Sequence, residues 1–120
     1  MRAINLTLKQ SLINKINAKQ PFTYKNDLNK QRYIIGIKNL HTSENPSIYY
    51  DNIYIDTSEA IEKIKTDKTI TFGGWLSDNG LYYVDYGKTT NSLKEALKLA
   101  KENKELAIWD NVENKEIIVR

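Results

Sequence analysis

The chain has no cysteine, and it has only two prolines, one methionine and one histidine. Without cysteine it can form no disulfide framework, and it offers no thiolate as a nucleophile or a metal ligand. A metal site would have to be built from carboxylates, and the spaced carboxylates of an EF-hand loop are missing. No apolar run has the length of a membrane span or the character of a signal peptide. These absences predict one cytoplasmic domain over residues 1–120.

Arginine is also scarce, since 15 of the 18 basic residues are lysine. The heavy use of Lys, Asn, Ile and Tyr is typical of an AT-rich bacterial or phage genome. Residues 1–50 carry eight basic residues against two acids, a balance of +6, whereas residues 51–120 carry ten against thirteen, a balance of −3. A basic first half favours either an anionic partner or a plain lysine-coated surface. Because the basic residues do not cluster at helical or strand spacing, nucleic acid is not the expected partner.

No combination of residues predicts a catalytic site. His41 lies in a polar stretch, and no serine stands in a nucleophile elbow. Gly73-Gly74 lacks the spacing of a phosphate-binding loop. The acidic residues read as surface charges on helices and turns. We therefore expect a protein that is not an enzyme and that uses neither a metal nor a cofactor.

The first helix is predicted over residues 7–18. Thr7 and Gln10 have the spacing of a capping box, and an apolar stripe follows them at helical spacing. Pro21 restricts the residue before it and ends the helix.

Three strands are predicted next, over residues 22–24, 32–38 and 47–55, because β-branched and aromatic residues dominate them. We expect the first two strands to pair as a hairpin. Residues 39–47 are expected to form a loop that Asn45-Pro46 closes.

The second half of the chain has clearer signals. Asp56 and Glu59 predict the start of a short helix that ends near residue 65. Strands over 70–76 and 81–86 are expected to form a hairpin, because Asn79-Gly80 is the preferred pair of a type I′ turn.

The last elements are a helix and a closing hairpin. Ser92 and Glu95 form the cleanest capping box in the chain, and Asn103 is expected to end this helix in a left-handed conformation. Strands over 106–109 and 116–119 are predicted to pair around an Asp-containing turn.

These elements predict an α+β fold, a largely antiparallel sheet with two or three short helices packed on one face. Residues 53–86 and 83–119 each read as a strand–helix–hairpin unit, with the strand 81–86 shared between them. The similarity indicates either an internal duplication or the chance recurrence of capped helices and Asp turns.

Aromatic residues are the feature above background, with eight tyrosines and two tryptophans concentrated in the predicted strands. Strand alternation places Tyr82 and Tyr86 on one face and Tyr83 on the other, and only one face meets the helices. The uncovered rings are suited to stacking on a base or filling a partner's pocket, although tyrosine is also an ordinary strand former. An uncovered aromatic face also predicts a homo-oligomer, a dimer or a larger assembly.

A pattern of residues resembles that of a family of small bacteriophage proteins. The matching segments are Gly73-Gly74-Trp75, an Asp/Gly turn, Tyr82-Tyr83-Val84-Asp85, a Ser-capped helix with Glu95-Ala96-Leu97, Ala107-Ile108-Trp109-Asp110 and, more weakly, Pro21–Tyr24. The pattern is similar to that of the anti-Thoeris sponge proteins of phages, which sequester immune signals of the cyclic ADP-ribose type without cleaving them.

The resemblance implies a phage-encoded immune-evasion protein that cages a cyclic nucleotide-like signal as an oligomer in the host cytoplasm. It implies ligand contacts from Tyr82 or Tyr83, from Asn91 and from residues near Trp109, and Tyr86 lies on the same strand. In place of the arginines expected for phosphate, Lys88 or Arg120 would supply the cation. The alternative is a small inhibitor that uses the same aromatic surface to bind a host defence protein.

Overall fold

The computed structural model describes residues 2–119, with side chains from residue 7 onward. Its helices are α1 (Arg2–Asn17), α2 (Tyr50–Thr66) and α3 (Leu93–Glu102), and a 3₁₀ turn over Pro46–Tyr49 leads into α2. Its strands are β1 (Phe22–Lys25), β2 (Tyr33–Ser43), β3 (Ile70–Leu76), β4 (Tyr82–Thr90), β5 (Ala107–Asp110) and β6 (Lys115–Ile118). None of the helices in this part of the chain is long and apolar enough to cross a membrane.

The six strands form one curled antiparallel sheet in the order β1-β3-β4-β2-β5-β6. All three helices pack on the same face. Apolar residues of α1 and α2 meet β3 and β4 around Phe72 and Val84, and α3 covers β2 and β5 around Ile35 and Ile108. The predicted α+β fold with helices on one face is confirmed.

The predicted strand over residues 47–55 is wrong. This stretch forms the 3₁₀ turn and the first turns of α2. The buried residues Ile53, Thr57, Ala60, Ile61 and Ile64 recur at helical spacing. The burial of this stripe against the sheet outweighs the strand preference of the tyrosines and isoleucines. As a result, the unit predicted over residues 53–86 begins with a helix rather than a strand.

Strand β2 extends further than predicted, since residues 39–43 continue it to Ser43. Its pairing with β4 shifts twice, between Gly36 and Lys38 and between Asn39 and His41. The hairpin expected between the first two strands is also wrong. β1 pairs with β3 at the edge of the sheet, where Phe22 stacks obliquely on Phe72 with 5.6 Å between ring centroids.

The predicted hairpin of β3 and β4 is confirmed, but its turn differs from type I′. Gly80 has a φ of 87°, while Asn79 is not among the positive-φ residues. The Gly80 amide donates to the carbonyl of Ser77 (3.1 Å), and the Ser77 amide donates to that of Leu81 (2.8 Å). These bonds are those of a type I turn followed by a glycine in a G1 bulge.

The N-terminal cap predicted for α3 is confirmed, because the Glu95 amide donates to the Ser92 hydroxyl at 3.1 Å. The predicted left-handed end is displaced by one residue. Asn103 has a φ of −98°, and Lys104 takes the left-handed conformation with a φ of 58°. The Asn103 amide side chain instead donates to the carbonyl of Leu99.

An ion pair connects the residue before β2 to the last residue of β5. Arg32 donates from Nε to Asp110 Oδ1 (3.0 Å) and from Nη2 to Oδ2 (2.9 Å). Asp110, which is only 1% exposed, also accepts from the backbone amides of Val112 and Glu113. The hydrogen bonds from Arg32, aided by these amides, lower the pKa of Asp110 to about 2.

This ion pair predicts an acid-dependent loss of stability. The folded-state pKa of Asp110 lies below the unfolded value of about 3.9. Its carboxylate therefore stabilises the fold fully above about pH 4, and this contribution disappears as pH falls toward about 2. Asp110→Asn is expected to lower the melting temperature at pH 7 and to flatten its fall between those two pH values.

Thermal melts between pH 2 and pH 7 measure both effects. Asp78→Asn, which removes a carboxylate from the exposed β3–β4 turn, is the matched control and should follow the wild-type curve. An Asp110→Asn protein with the wild-type melting temperature at pH 7 and the wild-type acid slope would refute the assignment.

Candidate functional site

The helix-free face of the sheet is concave and forms a groove. The curl brings residues from all six strands around a cavity of about 350 Å³. A volume of this size is at the lower end of the range for small-molecule sites. The side chains and backbone that shape it and carry its chemistry are Gly36, Gly87, Trp75, Trp109, Asp85 and Glu105.

The floor of the groove is formed around two glycines of the central strands. Gly36 on β2 and Gly87 on β4 are direct cross-strand partners, and both lie on the groove side. A Cβ on Gly87 would collide with the Thr71 hydroxyl and approach Ile34 to 3.2 Å, so this position requires glycine. The space that a side chain would take at these two glycines is filled by neighbours, Thr71 and Ile34 at Gly87 and the Glu105 carboxylate at Gly36.

At Gly73-Gly74 two strands approach each other closely, and the neighbouring atoms belong to the chain itself. Gly74 faces the helices, where a Cβ would collide with the Tyr82 hydroxyl and lie 2.5 Å from Phe22 Cε1. Gly73 faces the groove, and its Cβ would be 3.2 Å from the Phe22 carbonyl on the neighbouring strand β1. The glycines thus permit tight packing of β1 rather than a phosphate contact.

One wall of the groove is an ordered aromatic pair. Trp75 and Tyr83 are cross-strand partners on β3 and β4, and their rings stack with 4.6 Å between centroids and 10° between planes. The Trp75 indole donates to Asp85 Oδ2 (3.1 Å), and the Asn39 amide donates to Asp85 Oδ1 (2.8 Å). Both oxygens of Asp85 are engaged, and Trp75 is fixed in orientation although it remains 48% exposed.

The opposite wall comes from β5 and β6. Trp109 is the cross-strand partner of Glu116 and, on its other side, of Ile34. All three residues line the groove. The indole of Trp109 is 39% exposed, so a ligand in the groove can reach it.

Glu105, in the link between α3 and β5, places its carboxylate over the floor. Its Oε1 lies 2.9 Å from where a Cβ on Gly36 would be. Burial, and secondly the negative charge of Asp85, raise the pKa of Glu105 above its usual value. The groove therefore combines aromatic walls with a negative potential at its floor.

The structure separates the tyrosines predicted to bind ligand. Tyr82 and Tyr86 are buried on the helix side, 0% and 7% exposed, and do not offer their rings to the groove. Tyr83 lies on the groove side and supports Trp75. Trp109 lines the groove directly.

The polar residues predicted to hold a nucleotide lie elsewhere. Lys88 lies on the helix-covered face of β4, and its ammonium group pairs with the Asp67 carboxylate at 3.6 Å. Asn91, in the link to α3, accepts the backbone amide of Arg32 at 2.9 Å. Arg120 lies outside the described residues. The predicted set is therefore divided: Trp109 lines the groove, Tyr83 supports its Trp75 wall, and Tyr86 borders the cavity although its ring packs in the helix-side core.

Sequence reasoning missed the two acids and the glycine floor. Asp85 and Tyr83 lie on the same face of β4 because they are two residues apart. Asp85 could therefore be assigned to the groove once the helix-covered face of this strand is known. Gly36 and Gly87 each interrupt a β-branched strand, which marks a close approach. Nothing local indicates Glu105, because its position depends on how α3 packs across β2.

No group of three or more His, Asp or Glu side chains that could hold a metal ion is present in the described part of the chain. The chain matches no family model, no curated protein and no solved structure.

The position of Tyr82 predicts a structural role that is independent of the groove. Its hydroxyl donates to the carbonyl of Gln20 at 2.6 Å and ties the end of α1 to the sheet. Tyr82→Phe leaves that carbonyl without its donor, and we expect a loss of about 1 kcal/mol in the free energy of unfolding. Urea denaturation measures it.

Tyr83→Phe makes the same chemical change on the groove side and serves as the control. It should change the free energy of unfolding by less than about 0.5 kcal/mol. Equal effects of the two substitutions would contradict the different placement of the two hydroxyls.

Proposed function

We propose that this protein is a non-catalytic binding protein that captures a nucleotide-type signalling molecule by holding its base in the groove. The observation that carries the proposal is a cavity with indole rings on its walls and two glycines at its floor. Such a site accepts a flat ring system, and stacking of a base on an aromatic side chain contributes about 1–3 kcal/mol.

The wall formed by Trp75 supports the proposal because it is ordered before any ligand arrives. The stack on Tyr83 and the hydrogen bond to Asp85 hold the indole in one orientation. An aromatic surface fixed in advance loses little conformational entropy on binding, so more of the stacking energy appears as affinity.

The charge of the groove indicates which end of a nucleotide enters. Asp85, Glu105 and Glu116 all line it. Their negative potential repels phosphate and attracts N–H and O–H donors. The base and sugar therefore occupy the groove, and the phosphates remain at its mouth.

The arrangement of Asp85 supports binding rather than catalysis. Both of its oxygens accept hydrogen bonds from the protein, which gives this carboxylate a positioning task. Together with the resemblance to phage sponge proteins, this favours sequestration of a host immune signal, of the cyclic ADP-ribose type or a cyclic oligonucleotide, without cleavage.

Assembly into a homo-oligomer belongs to the same proposal. The edge strands β1 and β6 each leave one side of the sheet without a partner strand among the described residues. A second copy that pairs along an edge would protect it and extend the concave face. Light scattering coupled to size exclusion would measure the mass of the assembly.

Trp109 provides the first test of the function. Trp109→Ala removes one stacking wall, and it should weaken binding of cyclic ADP-ribose isomers or cyclic oligonucleotides about tenfold. The measurement is the increase in melting temperature that each compound causes at saturation, followed by titration of those that act.

Tyr50→Ala is the matched control, because Tyr50 is a similarly exposed aromatic residue (44%) on α2, outside the groove. It should leave ligand affinity unchanged. If no nucleoside or nucleotide raises the melting temperature of the wild-type protein, the proposed function is wrong.

A second surface favours the alternative function, inhibition of a host protein by direct contact. Five large side chains around the start of α2 are exposed by between 40% and 67%, namely Ile48, Tyr49, Tyr50, Tyr54 and Ile55. Exposed aromatic and aliphatic groups of this kind are typical of the core of a protein interface.

Ile55→Glu separates the two functions. If the α2 surface binds a protein, the charge should abolish recovery of a stoichiometric partner from host extract, while Trp109→Ala retains it. If the groove carries the function, Ile55→Glu should bind ligand like the wild type. Retention of the partner by Ile55→Glu would rule out this surface.

A further inference from the structure

We infer that the groove selects a base with two parallel N–H donors, a guanine-type base, and that the Glu105 carboxylate reads those donors. The inference rests on the proposed function, because it assumes that the groove holds a base. It assigns to Glu105 a role in specificity. Of the two signal types proposed above, it selects a guanine-containing cyclic oligonucleotide over the cyclic ADP-ribose type, whose base is adenine.

The first support is the place of Glu105 above the floor. Its carboxylate lies over Gly36, which is the cross-strand partner of Gly87. The absence of a side chain at Gly36 leaves the space that the carboxylate occupies. A ring edge that descends between Trp75 and Trp109 meets this carboxylate at the floor.

The second support is that Glu105 has acceptor capacity to spare. Within residues 2–119, no donor is bonded to its carboxylate oxygens, whereas Asp85 beside it has both oxygens engaged by Trp75 and Asn39. The two acids therefore have different tasks. Asp85 orients the wall, and Glu105 remains available to a ligand.

The environment of Glu105 favours a ligand that donates hydrogen bonds to its carboxylate. Partial burial and the neighbouring charge of Asp85 raise its pKa, so its ionised form is less favoured than that of a free glutamate. A ligand that brings two N–H groups stabilises that ionised form. Hydrogen bonds to an ionised acceptor are shorter and stronger than those between neutral groups.

The chemistry of the bases decides between them. The two oxygens of a carboxylate accept a pair of parallel N–H donors, and guanine offers such a pair from its ring N–H and its amino group. Adenine presents one amino group beside ring nitrogens that are acceptors, so one carboxylate oxygen would face a lone pair. A buried polar group left unpaired in this way discriminates strongly between analogues.

Calorimetric titration of the wild-type protein with guanosine, inosine and adenosine tests the inference. Nucleosides are used because they contain the base and sugar and omit the phosphates. Guanosine is expected to bind about tenfold or more tightly than adenosine. Inosine, which keeps the ring N–H and lacks the amino group, should fall between them.

Glu105→Gln provides the specificity readout. The amide keeps the shape of the side chain but presents one acceptor and one donor, which is the pattern that pairs with adenine. The substitution should weaken guanosine about tenfold and bring adenosine to equal or tighter binding. A structural role for Glu105 would weaken both nucleosides alike.

Two more variants complete the test. Glu102→Gln removes the same charge from the exposed end of α3, away from the groove, and should leave the order of the three nucleosides unchanged. Gly36→Ala places a methyl group in the space that Glu105 Oε1 occupies. It should weaken guanosine without changing the net charge, and a thermal melt verifies that the variant is folded.

The outcomes separate this inference from the proposed function. If none of the nucleosides binds, this inference is wrong, and the proposed function is wrong as well if the cyclic nucleotides also fail to raise the melting temperature. If adenosine binds as tightly as guanosine, or if Glu105→Gln leaves the ratio of the two unchanged, the groove binds a base and the assignment of Glu105 is wrong. A reversed preference in Glu105→Gln alone supports it.

Discussion

The alternation of side chains along β4 is the constraint on which the rest of the structure depends. This strand lies inside the sheet, between β3 and β2. One of its faces packs against the helices, and the other forms part of the groove. Tyr82 and Val84 point into the layer between sheet and helices, while Asp85 points to the groove and Gly87 forms part of its floor. A shift of the register by one residue would bury Asp85 and expose Tyr82, which would destroy the core and the groove together.

Helix packing and groove formation are therefore two results of one pattern. The apolar face of β3 and β4 packs against α1 and α2, and the burial of Phe72 and Tyr82 fixes the register of both strands. The residues that alternate with them face away from the core, and they include glycines, tryptophans and acidic residues. The groove is formed by the sheet face that does not pack in the core, so no additional helix or strand is needed to build it.

The sequence predicted the elements whose signals are local. Ser92 caps α3 through a hydrogen bond between residues three apart, and Gly80 takes positive φ within its own turn. The strand predicted over residues 47–55 was wrong because the strand propensity of these residues conflicts with their helical apolar stripe. Only the presence of a sheet face to receive Ile53 and Thr57 decides between the two. The pairing of β1 with β3 failed for a similar reason, since the order of strands depends on contacts far apart in the chain.

The candidate site was predictable in kind but not in composition. Strand parity shows that Tyr82 and Tyr83 cannot share a face, and the burial of Tyr82 under α1 assigns the groove to Tyr83. Glu105 and Gly36 are separated by most of a domain in sequence. Their approach results from the packing of α3 across β2, and spacing along the chain has no information about it.

Both tryptophans of the chain stand on the walls of the groove, and the buried core has none. The intrinsic indole emission of this protein is consequently a local optical probe of the concave face, with little sensitivity to the packing between sheet and helices. Trp75, 48% exposed, is hydrogen-bonded to Asp85 and stacked on Tyr83, whereas Trp109, 39% exposed, has Ile34 and Glu116 as its cross-strand partners. Their surroundings differ, so their emission bands should differ in wavelength.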